Sequence, residues 1–544
     1  MMQCHREGDR LATYLHESVF VIADRAQSET VIAALKQAFK VQTNRITPDT
    51  VTFFDTFDWG IYRSRTCLAS ECNQGIDQIV WSPQPEATHR CPLNGFKSWT
   101  CGRPVESFVV DDLPTGPFRG LLRGVTGNRR LLPIVNVSAE RQRLNILDEL
   151  DKTIARVRVE IGSAESTTSD SVVKVPFNIV RLTPIRGYPG AARKINRFLQ
   201  TQMALVKLRS GLYPHAVSAI GRYPGDYTSK FEIDLNGSMS VLDAAWAVQK
   251  TLLQDLEANE DGTRQHLDSE FLHDFRVAIR RTRTAMSQLK QVLPPDHVSQ
   301  LSNELRWLGR LTGPTRDLDV HLEMVASYCR DFPKETGIHL APMISYMKEL
   351  QCEAQSDLAR QLDSARYLNL KTLWRKQISQ GSQGSSIQSN ADRPVREVVS
   401  ERIWKVYRRL LHNGGMITPS SHPERLHDLR KEAKKLRYLI EFFSSLYPEK
   451  LMTRATRVLK QLQTNLGNFN DFEVQHTTIR RIAEELMTAR ACGSSTILAM
   501  GALLEYLSAG QSDTRREFGK CFARFSTAKN QGMFRHLFRK GESS

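Results

Sequence analysis

Two stretches of this chain share a pattern that could do chemistry. HDFRVAIRRTR at 273–283 returns as HDLRKEAKKLR at 427–437, 154 positions later. At about 100° per residue, His273, Arg276, Arg280 and Arg283 fall within an arc of about 80° on one helical face, and His427, Arg430, Lys434 and Arg437 do the same. Cations aligned on one stripe repel one another, so the arrangement is favourable when a polyanion or a set of buried carboxylates faces it. Arginine suits bidentate contact with phosphate and lysine acts as a point charge. The chemistry on offer is anion binding. A third stripe, Arg402, Lys405 and Arg409, occupies positions where the earlier half has Val248, Thr251 and Asp255, so the halves are related but unequally charged. Arg281 and Lys435 project about 100° away from Arg280 and Lys434 and are weaker candidates.

The repeat continues past these helices without a gap. Arg306 matches Lys460, Gly313 matches Gly467, and Asp317 to Val320 matches Asp471 to Val474, with 44 positions from histidine to aspartate in both halves. Arg306 and Lys460, with Arg402, Lys405 and Arg409, are expected as secondary anion contacts. The histidines invite a metal reading, but cations one turn away would repel a divalent ion. Each is expected instead to donate a hydrogen bond to phosphate or to an acid such as Asp317 or Asp471.

The elements that must position these residues are helical from Val241 onward, where apolar residues recur with a period of 3.6. One helix starts near Asp268 and stops at Pro294-Pro295; another covers 397–411. A Ser/Gln/Gly-rich linker, 378–392, separates halves at about 236–377 and 393–535, and 536–544 is a tail. Two similar halves in one chain pack about a pseudo-twofold axis, which would make the stripes line one basic groove or pore.

Residues 1–207 read differently. Ser18 to Ile22 and Val51 to Phe54 are β-prone, 28–40 and 191–207 are helical, a turn lies around 58–60 before a second strand, and 72–110 is loop-like. Ile154 to Ile161 alternates apolar and charged residues, burying one face and presenting Arg156, Arg158 and Glu160 on the other. Residues 163–171 read as a polar loop and 208–235 as a junction.

Lys+Arg 75 against Asp+Glu 59 gives a net charge of +16, which points to an anionic partner: nucleic acid, a phosphate polymer or a membrane surface. A membrane is excluded as host because no apolar run reaches 18 residues, and charges interrupt the N-terminal region where a signal peptide needs an apolar core. A cytoplasmic location is expected. Cys67, Cys72, His89, Cys91 and Cys101 gather in one stretch at spacings that fit no compact zinc knuckle, so ordinary thiols are expected.

HDFRVAIRRTR with RWLGRLTGPTRDLDV, and HDLRKEAKKLRY with LKQLQTNLGNFNDFEV, are strongly similar to the CHAD domain, a family named for its histidines on a helical scaffold. The resemblance covers about 236–535. It implies inorganic polyphosphate as partner, held in a basic central cavity, and association with polyphosphate granules. FFDTFDWGIYRSRTCL and IVRLTPIRGY resemble the CYTH domain, the triphosphate tunnel fold. Its hydrolytic members open with a Glu-x-Glu-x-Lys strand that holds Mg²⁺ and phosphate; here that strand is SVFVIAD, so catalysis is not expected and no cofactor is implied. The expected fold is an α+β domain, an antiparallel sheet or degenerate CYTH-like barrel, followed by an all-α domain of two pseudo-twofold-related helical-bundle halves. Two alternatives stay open: generic polyanion or nucleic-acid binding, against which no aromatic residues interleave the stripes, and a triphosphatase in which Glu140, Asp148 or Glu160 replaces the missing carboxylates. A homo-oligomer is compatible with either.

Overall fold

The computed structural model describes residues 17–73, 76–84, 97–101, 106–167, 173–208, 210–289, 292–331, 334–381 and 390–539. His89 and Cys91 of the cysteine cluster, residues 382–389 of the linker and 540–544 of the tail lie outside the described residues. The chain divides into two units, Met1–Ser229 and Lys230–Ser544. The stretch 208–235 is therefore shared rather than a free junction. A helix at Leu212–Ala219 buries Tyr213, Ala216 and Val217 in the first unit, while Phe231 and Leu235 are buried in the core of the second.

The first unit is an antiparallel sheet with helices. Its strands are β1 (Ser18–Val21), β2 (Lys40–Thr43), β3 (Thr47–Asp55), β4 (Thr66–Asn73), β5 (Ile76–Pro83), β6 (Lys97–Cys101), β7 (Leu132–Leu147), β8 (Thr153–Ser166), β9 (Lys174–Pro184) and β10 (Val206–Lys207). They are ordered β10-β1-β9-β8-β7-β3-β4-β5-β6, with β2 also on β7. The helices are α1 (Arg25–Ala38), α2 (Gly60–Arg63), α3 (Pro117–Thr126), α4 (Pro189–Thr201) and α5 (Leu212–Ala219).

Three local expectations are corrected. The stretch read as loop at 72–110 contains β5 and β6, and β8 continues through the expected loop to Ser166. After β3 the chain turns into the short helix α2, because the buried Asp55 carboxylate accepts from the Thr56, Ile61 and Tyr62 backbone N–H groups at 2.8–2.9 Å and from Tyr213 Oη at 3.0 Å. Burial nevertheless lifts Asp55 to about 7, against the pull of those donors.

The second unit is helical: α6 (Val241–Ala258), α7 (Glu260–Arg264), α8 (Ser269–Gln288), α9 (Pro295–Leu311), α10 (Gly313–Asp331), α11 (Lys334–His339), α12 (Ala341–Leu362), α13 (Ala365–Gly381), α14 (Val395–Gly415), α15 (Pro423–Phe442), α16 (Glu449–Thr488), α17 (Ser494–Phe525) and α18 (Ala528–Phe538). The repeat fixes helix starts to the residue: α6, α8 and α9 begin 154 positions before α14, α15 and α16. Each start has a local cause. Asp268 Oδ1 caps α8 by accepting from Glu270 and Phe271 N–H groups, whereas α15 starts with Pro423 after a His422 cap. The helix break between α9 and α10 falls at Thr312, just before Gly313-Pro314, where proline cannot donate; Gly467-Asn468 at the matching place lets α16 run on for 40 residues.

Both halves share one core. Leu242, Trp246, Phe275 and Ile279 belong to the same buried cluster as Val399, Ile403, Leu436 and Leu439. A two-residue bridge marks the axis: Ser240 pairs with Pro394, Val241 N donates to Arg393 O at 2.9 Å, and Val395 N donates to Met239 O at 2.9 Å. The 154-residue repeat exchanges the two bonds, and Ser240 pairs with its own counterpart, as an isologous contact requires.

Arg281 is not on the anion-facing side. It is buried between the halves, its guanidinium 2.9 Å from Glu441 Oε2 and lying over the Phe231 and Tyr438 rings at 5.5 and 6.0 Å. Breaking such a pair strands a buried charge. Glu441→Gln is expected to lower the stability of the helical unit by about 3 kcal/mol, read as a fall in the urea midpoint. An unchanged midpoint would show that Arg281 is held by its aromatic neighbours alone.

Candidate functional site

The stripes expected on α8 and α15 are where the two halves meet. Lys434 is drawn down to about 8, first by burial and then by Arg430 and by Arg280 of the other half, with Asp471 opposing and Arg437 adding. Arg280 and Lys434 are repeat-equivalent, so two like charges face each other across the axis. The Arg280 guanidinium has no hydrogen bond or ion pair among the described residues, and its Nε is a buried donor without a partner.

Around this pair the first half leaves its arginines uncompensated. Arg276 Nη1 donates to Gly309 O at 3.2 Å and Thr312 Oγ1 at 2.9 Å, both neutral acceptors. Burial lowers Arg276 to about 10, with Asp317 opposing. The guanidinium of Arg283 lies over α9, where a Cβ on Gly309 would sit 3.7 Å from its Nη1; burial and Arg306 lower its pKa. A Cβ on Gly313 would likewise lie 3.6 Å from Arg276 Nη1. Gln463 stands at the place of Gly309 in the second half and donates to Ala433 O at 2.7 Å, filling that space. Accordingly Arg430 turns to Asp471, 3.1 Å away, and Arg437 Nε approaches Glu441 Oε1 at 2.5 Å.

The histidines do not bond the acids expected for them. His273 Nδ1 accepts from Arg316 Nη2 at 3.1 Å, and His427 Nδ1 donates to Asn470 Oδ1 at 2.6 Å. Their partners are one residue earlier than Asp317 and Asp471, on the turn of α10 and α16 that faces the histidine. The consequence is that the neutral imidazoles are opposite tautomers: His273 keeps its proton on Nε2 and His427 on Nδ1. Arg316 was missed in the sequence. It also donates to Ser269 O at 3.0 Å, tying α10 to the start of α8. Its signal was present in the repeat, as a cation one residue before the matched aspartate with asparagine opposite.

The secondary cations are spread wider. Arg402 Nε donates to Gln288 Oε1 at 3.1 Å, joining α14 to the end of α8, and burial and Arg409 lower its pKa. Arg409 Nε lies 3.0 Å from Glu432. Arg306 is bonded to Asn303 Oδ1 at 2.9 Å, and Lys405 and Lys460 are exposed. Asp255, the counterpart of Arg409, is raised to about 6, mainly by burial, with Arg281 opposing and Asp274 adding.

In the first unit the expected outward face of β8 is partly wrong. Arg156 is exposed, but Glu160 is buried and Arg158 half-buried. Glu160 accepts from Arg181 Nε at 3.0 Å and lies 3.4 Å from Arg141 Nε; Arg158 pairs with Glu17, and Arg141 with Asp49. Burial raises the pKa of Glu71 on β4, with Arg181 and Arg158 opposing. A Mg²⁺ ion does not fit here. Arginines flank both the Glu17 and the Glu160 carboxylates and would repel it. Glu140 is an exposed partner of Arg25 at 2.5 Å and Asp148 caps a turn, so the three replacement carboxylates do not converge. The described residues hold no group of three or more His, Cys, Asp or Glu suited to a metal.

Comparison with known proteins bears on both units. A crystal structure of the CHAD domain from the plant Ricinus communis is 23% identical, with a TM-score of 0.46 over 54% of this chain and 95% of that one. PptA from Streptomyces chartreusis is 16% identical, with a TM-score of 0.39 over 52% of this chain and 99% of its own. A putative adenylate cyclase from Bacillus halodurans is 11% identical, with a TM-score of 0.26 over 37% of this chain and 94% of its own. No curated protein matches the chain. The family model described as CHAD domain matches residues 247–480, a span that begins in α6 and ends in α16 and so contains both histidine-headed helices. The match to the CHAD domain model thus lies wholly within the helical unit of this chain.

Proposed function

We propose that the helical unit binds inorganic polyphosphate, without catalysis, along the stripes of α8 and α15. The observation that carries this reading is that Arg280 and Lys434 act on each other across the axis while neither forms an ion pair among the described residues. Such a pair is costly in the free protein and is relieved by an anion that reaches both. A linear polyphosphate has no base edges to read, so converging cations are sufficient for it. The CHAD resemblance supports this polymer over nucleic acid, as does the lack of aromatic side chains on the stripes for base stacking. No helix among the described residues is long and apolar enough to cross a membrane, which is compatible with a cytoplasmic protein at polyphosphate granules. The sheet unit, on this proposal, has no hydrolytic activity, because Glu17 and Glu160 are paired with Arg158 and Arg181 and burial pushes Glu71 toward its neutral form.

Replacing Arg280 and Lys434 together by Glu is expected to weaken retention on long-chain polyphosphate by about a hundredfold or more, with the thermal melt unchanged. Full retention would remove the assignment. In a salt titration with duplex and single-stranded nucleic acid as competitors, polyphosphate should win at every ionic strength, and equal competition would favour a generic polyanion site.

Binding should also depend on pH through Lys434. Its pKa in the free protein is depressed to about 8, and a bound polyanion raises it. Affinity is therefore full below pH 8 and falls as pH rises above it, and Lys434→Arg should flatten that decline. A decline that survives in the arginine variant would place the titrating group elsewhere. For the sheet unit, phosphate release from triphosphate with Mg²⁺ or Mn²⁺ should stay at background; release abolished by Glu160→Gln would restore an enzymatic reading.

A further inference from the structure

The position-by-position repeat shows what one half has and the other lacks. Three stripe arginines of the second half carry their own carboxylates: Arg430 with Asp471, Arg437 with Glu441, and Arg409 with Glu432, at 3.1, 2.5 and 3.0 Å. Ser287 stands where Glu441 would be in the first half, so Arg283 lacks the carboxylate that its counterpart Arg437 has; Arg409 and Glu432 correspond to Asp255 and Ala278, so that pair is missing as a whole. The third counterpart, Asp317, is present, but Arg276 turns from it to the neutral acceptors on α9 that Gly309 and Gly313 leave accessible. Arg280 and Arg283 have no ion pair among the described residues.

The histidines differ in the same sense. With Arg316 donating to its Nδ1, neutral His273 carries its proton on Nε2 and is a donor there. With its Nδ1–H directed to Asn470, neutral His427 is left with an Nε2 that only accepts. Carboxylates and tautomer are separate features of the sequence, and both make the first half the donor-rich one.

We propose that the two halves engage a phosphate chain unequally. The first half, through His273, Arg276, Arg280 and Arg283, is the main holding surface, and Lys434 is the chief contribution from the second. Arg430, Arg437 and Arg409 are buffered, because a phosphate that reaches them must displace a resident carboxylate and then lie beside it. Arg316 is a positioning residue, acting through the tautomer of His273. This inference rests on the polyphosphate reading above, and matched substitutions at equivalent positions separate the two.

The test compares Arg283→Ala with Arg437→Ala, and adds Asp471→Asn, in the full chain binding polyphosphate of defined length, with thermal melts to confirm folding. Glu441 is left alone because it also holds Arg281. Loss of Arg283 should weaken binding by about tenfold and loss of its equivalent Arg437 by about twofold or less. Asp471→Asn, which frees Arg430, should tighten binding by about fivefold. Equal losses at 283 and 437, or no gain from Asp471→Asn, would overturn unequal engagement while leaving polyphosphate binding standing. A wild-type chain that does not bind polyphosphate would remove both readings. For Arg316, Arg316→Ala should shift His273 away from the Nε2–H form in nitrogen-15 spectra of the imidazoles; an unchanged tautomer would remove its positioning role.

Discussion

The meeting of Arg280 with Lys434 is the constraint around which the helical unit is arranged. A twofold relation between halves puts equivalent residues near the axis in contact with each other, whatever their charge. An apolar residue there would add to the core. A cation there meets a cation, and the repulsion must be offset by apolar burial elsewhere. Leu436 and Leu439 on one side, and Phe275 and Ile279 on the other, supply that burial in a core that both halves share. The backbone exchange at Ser240 and Pro394 fixes the axis independently of these side chains. The charges are thus held together by contacts that do not depend on them, and this is what leaves them available to a ligand.

Duplication also explains how the halves could become unlike without losing the fold. Gly309 and Gln463 occupy the same place, and exchanging one for the other redirects a neighbouring guanidinium rather than a helix. With glycine, the arginines of α8 lie against α9 and use its free carbonyl and hydroxyl groups; with glutamine, that space is filled and Arg430 reaches Asp471 instead. The break at Pro314 shows the same tolerance at the level of the backbone. One half has two helices, the other has one long one, and the residues before and after keep their register.

Much of the helical unit was legible because a repeat is redundant: a spacing seen twice fixes both copies. The interval of 44 residues from histidine to aspartate, equal in both halves, marked the repeat as ungapped, and α6, α8 and α9 do start 154 positions before α14, α15 and α16. Periodicity alone gave the side of the helix on which His273 to Arg283 lie. It could not say what lies opposite. Arg281 was set apart by its angle, yet only the fold shows that Glu441 and two aromatic rings receive it. The histidines' partners were missed by one residue, because at helical spacing a neighbour in sequence points about 100° away. In the sheet unit the alternation on β8 was read correctly as two faces. That Glu160 is buried and Arg158 half-buried on the second face follows from their pairing with Arg181 and Glu17, contacts between residues distant in the chain that no local pattern carries.

Arginine is used in two opposite ways in this chain, and the contrast bears on function. Within the sheet, Arg141, Arg158 and Arg181 are matched by Asp49, Glu17 and Glu160, and the carboxylate of Glu17 is held below its usual range by Arg158 and Arg181 although burial works the other way. Those charges solve one another's desolvation, which is a structural solution: any anion entering would have to compete with several fixed carboxylates at once. On α8 the desolvation of Arg276 and Arg283 is left unsolved and their pKa values fall. A fold stabilised for its own sake would gain from a carboxylate at Ser287, where the second half has the Glu441 that pairs with Arg437. That it holds a serine there leaves the free energy to be recovered by an anion outside the chain, which on the proposed reading is a phosphate polymer.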